Sequence, residues 1–286
     1  MIRLVNYALI ALLALASGDA ALAQSEPKRE ITQIAGDLYR FQNKFHYSVF
    51  LVTPEGVIVT DPVNAEAAGW LKSEIATRFG KPVRYVILSH DHVDHSSGAE
   101  VFAADGALVV AHENARKTII GEGRPTAVPT ITFHRQMAIE LGGKTVELRY
   151  LGKNHSDNMI VMNFPAERTL YAVDFIPVKT VAYKTLSDAY LPGWIESLRR
   201  VEAMDFDILA PGHGNMGVKA DVTAFREYMS DLYDQVLEQA RLGKTLEETL
   251  SAVDLSKYQD WNQFEAWSPL NIEGVYTRIQ LHRRGN

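Results

Sequence analysis

At 286 residues, 47% hydrophobic and 22% charged, the chain has ordinary globular composition and can bury one large layered core or two small ones. A net charge of −6 without any Lys/Arg block speaks against a surface that tracks phosphates, so no nucleic-acid partner is expected. The absence of cysteine excludes disulfides and thiolate metal ligands, so stability must come from a packed core and any metal site from His and carboxylate groups.

The chain opens with a short basic segment, Met1-Ile2-Arg3. An almost wholly apolar run from Leu4 to Ala16 follows, then the small-x-small pattern Ala21-Leu22-Ala23. That is the order of a secretory signal peptide. The run is short for a bilayer span, and this N-terminal segment has no lipobox cysteine and no Arg-Arg pair. Residues 1–23 are therefore expected to be removed on general export. Gln24 would then begin a periplasmic or secreted protein with no stable membrane insertion. A retained N-terminal anchor is the alternative reading.

From Gln24 onward strands and helices alternate. Ile31 to Phe41, Tyr47 to Thr53 and Gly56 to Thr60 read as strands, the last ending at Asp61-Pro62. Ala65 to Phe79 has apolar residues at helical spacing and is stopped by Gly80-Lys81-Pro82. Val83 to Ser89 is a compact apolar strand. Further strands are expected at 108–111, 130–134, 137–141, 145–151, 159–164 and 169–173, with Gly142-Gly143 marking a hairpin. Residues 194–204 read as a helix and 206–210 as a short strand. Val222 to Leu242 is an amphipathic helix, Thr245 with Glu248 forms a capping box, and Asn271 to His282 reads as a final helix. No linker interrupts this order. It predicts an α/β fold with a sheet-on-sheet core in one domain, residues 24–220, with a helical C-terminal extension, 221–286, packed on it. The stripe from Val222 to Leu242 is read as core packing, with an oligomer interface as its other use.

The chemistry concentrates in His90-Asp91-His92-Val93-Asp94-His95, three histidines and two aspartates directly after an apolar strand. A loop at a sheet edge can turn such side chains toward one point. Neutral imidazoles suit zinc, and carboxylates add neutralising charge. Three further groups sit where strands end: His155 in a polar turn, Asp174 after residues 169–173, and His213 in Pro211-Gly212-His213-Gly214. Each is weak alone, and a strand-end Asp is usually a turn residue. His46, His112, His134 and His282 have no partner at ligand spacing and are expected outside the site.

On these residues the run from Asp61 to His213 resembles the metallo-β-lactamase superfamily, whose marks are an H-x-H-x-D-H loop and later isolated His, Asp and His. The resemblance implies a four-layer αβ/βα sandwich with metals along one sheet edge. It implies that His90, His92 and His155 bind one metal, that Asp94, His95 and His213 bind a second, and that Asp174 bridges them. Asp61 matches an acid that braces the histidine loop in that family. Residues 152–161 and 188–194 read like the true zinc β-lactamases. The cysteine-bearing lactamase subclass, however, places Cys where this chain has Asp174 and lacks the equivalent of His95. The metal set is thus closer to the glyoxalase II and lactonase pattern.

The resemblance implies a dinuclear hydrolase, with two Zn2+ and with iron or manganese as alternatives. A metal-bridging hydroxide would attack the carbonyl of an amide, lactone or thioester in a small molecule, a β-lactam included. Asp94 is the expected catalytic residue, orienting the water and shuttling its proton. Lys179 and Lys184 are candidates to hold a substrate carboxylate, and Tyr183 and Trp194 to line the cleft. A mononuclear iron persulfide dioxygenase and a non-catalytic metal-binding module are the competing functions.

Overall fold

The computed structural model describes residues 28–282, with the side chain of His282 left aside, so the expected export segment 1–23 and the new terminus Gln24 lie outside the described residues. Two sheets stack face to face. In the first, β1 (Arg29–Ala35), β2 (Leu38–Asn43), β3 (His46–Thr53) and β4 (Gly56–Thr60) form an antiparallel meander. Then β5 (Val83–Ile87), β6 (Leu108–His112) and β7 (Ile131–Phe133) continue in parallel, in the order β1-β2-β3-β4-β5-β6-β7. The second has the order β13-β12-β11-β10-β9-β8. It is built from β8 (Gln136–Leu141), β9 (Lys144–Tyr150), β10 (Ile160–Phe164), β11 (Thr169–Val173), β12 (Ile208–Pro211) and β13 (Gly217–Val218). Only β11 and β12 run parallel there, because α5 (Leu191–Glu202) lies between them in the chain.

Strand alternation separates the faces. Leu38, Val49, Leu51, Ile58, Ile87 and Val110 point from the first sheet toward the second. Phe50, Val57, Val59, Val86 and Val109 point outward and are covered by α1 (Ala65–Phe79), α3 (Ala99–Ala103) and α4 (Glu113–Glu122). The far face of the second sheet is covered by α5, α6 (Lys219–Arg241) and α8 (Phe264–His282), whose buried Leu198, Phe225, Leu232 and Val275 share one core with the sheets. The result is helix, sheet, sheet, helix. The short α7 (Leu246–Ala252) starts on the expected capping box, with Thr245 and Glu248 bonded reciprocally. Among the described residues no helix is long and apolar enough to cross a membrane.

Some boundaries differ from expectation. The first expected strand is two, β1 and β2, because Gly36 adopts φ 52° and turns the chain between them. Three helices were not anticipated: α2 (Val93–Ser96), α3 and α4. Each is short, and α4 lacks a long apolar stripe, burying only Ala115 and Ile119. The last helix starts at Phe264 rather than Asn271 and carries Pro269 inside it, past the first turn, at the cost of one intrahelical hydrogen bond.

Candidate metal centre

The site forms where the C-terminal ends of β5 and β11 and the segment after β12 meet, between the sheets. His90 and His92 lie in the loop after β5, and Asp94 and His95 in α2. His155 lies in the turn between β9 and β10, Asp174 directly after β11, and His213 two residues past β12. Two strained positions aim these groups. Val173 holds φ 39° immediately before Asp174, and Val63, whose N–H bonds the His95 carbonyl at 3.1 Å, holds φ 74°. Such conformations are costly for a β-branched residue and survive only where packing enforces them. Gly212 is required for a different reason. A Cβ there would lie 2.8 Å from Val173 Cγ1 and 3.0 Å from His95 Cε1.

Two side-chain groups share one carboxylate. His90, His92, His155 and Asp174 bring their ligand atoms within 4.8 Å of one another, and so do His95, Asp174 and His213. Asp174 Oδ2 is 3.7 Å from His90 Nε2, 3.7 Å from His155 Nε2 and 3.2 Å from His95 Nε2, while Oδ1 is 3.3 Å from His213 Nε2. Asp94 Oδ2 sits beside the second group, 3.6 Å from His95 Nε2 and 4.0 Å from His213 Nε2.

The hydrogen bonds around the histidines set which nitrogen faces inward. Ser89 Oγ meets His90 Nδ1 at 2.8 Å, leaving His90 Nε2 buried and without a partner. His213 Nδ1 donates to the Phe45 carbonyl at 3.0 Å. His92 Nε2 donates to Asp188 Oδ2 at 2.7 Å, so Nδ1 is turned to His155 Nε2, 3.3 Å away. Asp61 is fully buried. It accepts from the Ser89 N–H at 2.8 Å and the Tyr171 hydroxyl at 3.0 Å, which pins the start of the histidine loop to the two sheets. Asn158 adds a second brace. It donates to Asp91 Oδ1 at 2.7 Å and accepts from the Asp91 N–H, tying the His155 turn to the hexapeptide.

Residues with this chemistry fit a divalent cation. His95 and His213 set two imidazole nitrogens 3.2 Å apart, a contact that requires a proton or a cation between them. Burial would lower His95, but the Asp174 charge and hydrogen bond overcome it and raise it to about 9. Burial would raise Asp174, yet His95, then His213 and His155, hold it well below the ordinary value. Burial lowers His90 well below its usual value and takes His155 to about 4, so both keep a free lone pair. Asp174 Oδ1 is buried and lacks a hydrogen bond. The site therefore holds positive charge against a carboxylate and leaves unpaired donor atoms around it, which is what a metal requires.

All seven expected ligand residues come together here. Four other expectations are corrected or refined. His46, expected outside the site, lies in it: Nε2 is 3.3 Å from Asp94 Oδ2, and His46, Asp94 and His213 form a third close group. Strand register puts it there, since His46 bridges to His213 and Tyr47 N–H bonds the Gly212 carbonyl. Lys179 and Lys184 do not line the cleft. Both sit at positive φ, 44° and 43°, and their carbonyls are bonded by Asn262 N–H and Asn271 Nδ2 of the C-terminal segment, while Lys184 Nζ lies over the Tyr183 ring. Tyr183 does line it and is 60% exposed. Trp194 lines its floor but is buried, donating Nε1–H to the Phe175 carbonyl and carrying the edge of His155 on its ring. His112 and His134 stay outside, bonded to each other 2.8 Å apart through the His134 carbonyl. Asp188 is the residue that sequence missed. It lies 96 residues from His92, and no spacing rule connects them.

A family model described as the metallo-β-lactamase superfamily matches residues 43–213. Over 202 residues the chain is 27% identical to the 2,4-dinitroanisole O-demethylase subunit alpha of Nocardioides sp. (strain JS1661), covering 69% of this chain and 61% of that subunit. The match thus spans less than two thirds of that relative. Over 214 residues it is 28% identical to the metallo-β-lactamase type 2 of Elizabethkingia meningoseptica, covering 71% of this chain and 84% of that protein. Among solved structures, a metallo-β-lactamase from Pontibacter korlensis superposes with a TM-score of 0.65 at 21% identity, over 71% of this chain and 99% of that one. That last likeness is one of fold.

Proposed function

The chain belongs to the metallo-β-lactamase superfamily, and from that premise we propose that it is a dinuclear metal-dependent hydrolase of small molecules. His90, His92 and His155 would hold one ion, and Asp94, His95 and His213 the other, with Asp174 common to both. The observation that carries this reading is the shared carboxylate: Asp174 completes two separate ligand groups at once. Zinc suits the all-His/carboxylate donor set, with iron or manganese as alternatives. When bound, such ions polarise an acyl oxygen and make water nucleophilic near neutral pH.

The protein's own groups supply the rest. Asp94 is half-exposed and lines the cleft. Burial would raise it, but the His46 hydrogen bond and the His95 charge lower it to about 2. Its carboxylate lies on the cleft side of the His95 and His213 group, where it is placed to orient the attacking water. Asp188 fixes the tautomer of His92, and Asp61 holds the start of the 90–95 segment that carries four of the ligands.

The scissile bond belongs to an amide, ester, lactone or thioester. One relative is named as a β-lactamase and another as acting on 2,4-dinitroanisole. The test is a panel of nitrocefin, S-lactoylglutathione, a homoserine lactone and 2,4-dinitroanisole, with added zinc and with chelator. Turnover that survives thorough metal removal would overturn the proposal. Oxygen uptake with glutathione persulfide, without hydrolysis, would assign a mononuclear iron dioxygenase instead. Zinc binding without any turnover would assign a metal-binding module. From residues 1–23 we further propose export to the periplasm or beyond, with no nucleic-acid partner.

A further inference from the structure

The cleft above the candidate metal centre encloses about 740 Å³. Its floor is His92, Asp94, His155, Asp174 and His213. Its wall is a different kind of surface, formed by residues 177–189, by Asn262 and Gln263, and by Trp267 near the start of α8. Val181, Ala182, Leu186, Tyr183 and Trp267 face the cavity there. Among the described residues no lysine or arginine lines the cleft, and the only carboxylates in its lining are Asp94, Asp174 and Asp188. The first two belong to the floor and the third is engaged by His92. A substrate carboxylate reaching the wall would lose its hydration, and the cation beside the wall, Lys184 Nζ over the Tyr183 ring, lies outside the cleft lining and is engaged by that ring.

The wall is fixed rather than adaptable. Thr180 bridges to Asn262, and Val181 N–H bonds the Asn262 carbonyl. Buried Asn271 donates to the carbonyls of Ala182 and Lys184, and Arg278 to those of Leu186 and Ala189. Gly274 lies so close to Thr185 that any Cβ would collide with its carbonyl oxygen. On this frame Tyr183 stands 60% exposed, edge-on to Trp267 with ring centroids 5.1 Å apart. An exposed aromatic beside a second aromatic in a concave site offers a flat apolar ligand a surface to stack on.

We propose that the C-terminal helix makes this a cleft for uncharged substrates with a flat aromatic body, laid against Tyr183 and Trp267, and that it rejects substrates carrying a carboxylate on that body. The inference rests on the hydrolase reading above and narrows it to aromatic esters and lactones. In such a hydrolysis the acyl C–O bond breaks. Water supplies the hydroxyl of the acid, and its proton goes to the leaving aryl oxygen.

The test uses the metal-loaded protein and two matched esters, 2-naphthyl acetate and 6-carboxy-2-naphthyl acetate. The neutral ester should have a kcat/KM about tenfold or more above its carboxylated partner. Trp267→Ala should cut the preference for naphthyl over vinyl acetate by about fivefold and weaken binding of the unreactive 2-acetonaphthone in calorimetry by a similar factor. Tyr183→Ala, at an exposed position, should act in the same direction and guards against a Trp267 variant that fails to fold. Equal use of the two naphthyl esters, or ketone binding unchanged in both variants, would overturn the inference. If no ester is hydrolysed, the hydrolase reading loses its esters while ketone binding still decides the aromatic subsite.

Discussion

Asp188 accepts a hydrogen bond from His92 Nε2 at 2.7 Å, and that contact decides which nitrogen of His92 looks into the site. Despite its partial burial, Asp188 is held below the ordinary carboxylate value, chiefly by the His92 charge, so it is ionised and can only accept. With Nε2–H committed to Asp188, Nδ1 is the nitrogen turned toward His155, and it offers a lone pair there once the imidazole is neutral. Asp188→Ala should weaken metal affinity at the His90, His92 and His155 group about 10- to 100-fold. Competition with a chromophoric chelator measures this directly. An affinity equal to that of the parent would show that His92 needs no such partner.

Asp61 gives a pH signature in the metal-free protein. Burial pushes its carboxyl from 3.8 up to about 6, against the opposing pull of His95 and the Ser89 and Tyr171 hydrogen bonds. Between those values the folded state holds a proton that the unfolded chain has released, so the contribution of this group to stability falls as pH rises from about 4 to 6. Asp61→Asn has nothing to titrate. Its stability relative to the parent should therefore rise across that interval, by up to about 3 kcal/mol. Urea unfolding at pH 4, 5, 6 and 7 reads the difference, and a pH-independent difference would show that Asp61 titrates normally.

The dock of α8 is also open to test. Buried Asn271 joins the Tyr228 hydroxyl to the carbonyls of Ala182 and Lys184. Asn271→Ala leaves those buried groups unpaired and should cost about 2–4 kcal/mol. Chemical denaturation should show the loss, and KM for any substrate found should rise because the cleft wall is no longer held. A variant as stable as the parent would mean that α8 is held mainly by its apolar contacts.

What sequence revealed followed the distance over which each signal acts. The hexapeptide 90–95 was legible because its ligands are adjacent in the chain, and His155, Asp174 and His213 because they match a family pattern at strand ends. His46 and Asp188 were not, since one is brought in by β3 register against His213 and the other by the fold of the 177–189 wall. Lys179 and Lys184 misled for the same reason. Their left-handed backbone and their bonds to the C-terminal segment are tertiary facts, and they turn an inviting pair of cations out of the cleft lining. The layered architecture was legible from periodicity and resemblance together. Helices α2 and α3 are too short to show a helical period, and α4 buries only Ala115 and Ile119.

Export has its own outcome. Expression of the full chain should yield a periplasmic protein whose intact mass begins at Gln24. A mass that retains residues 1–23, recovered with membranes, would instead establish the anchor reading.

The central claim is that Asp174 joins two metal sites in a hydrolase. The most direct measurement is the metal content of the purified protein by elemental mass spectrometry, taken alongside an Asp174→Ala variant. The parent should carry two divalent ions per chain and the variant no more than one, with hydrolysis lost on chelation and restored by zinc. A single tightly held ion in the parent, with activity indifferent to chelator, would contradict it.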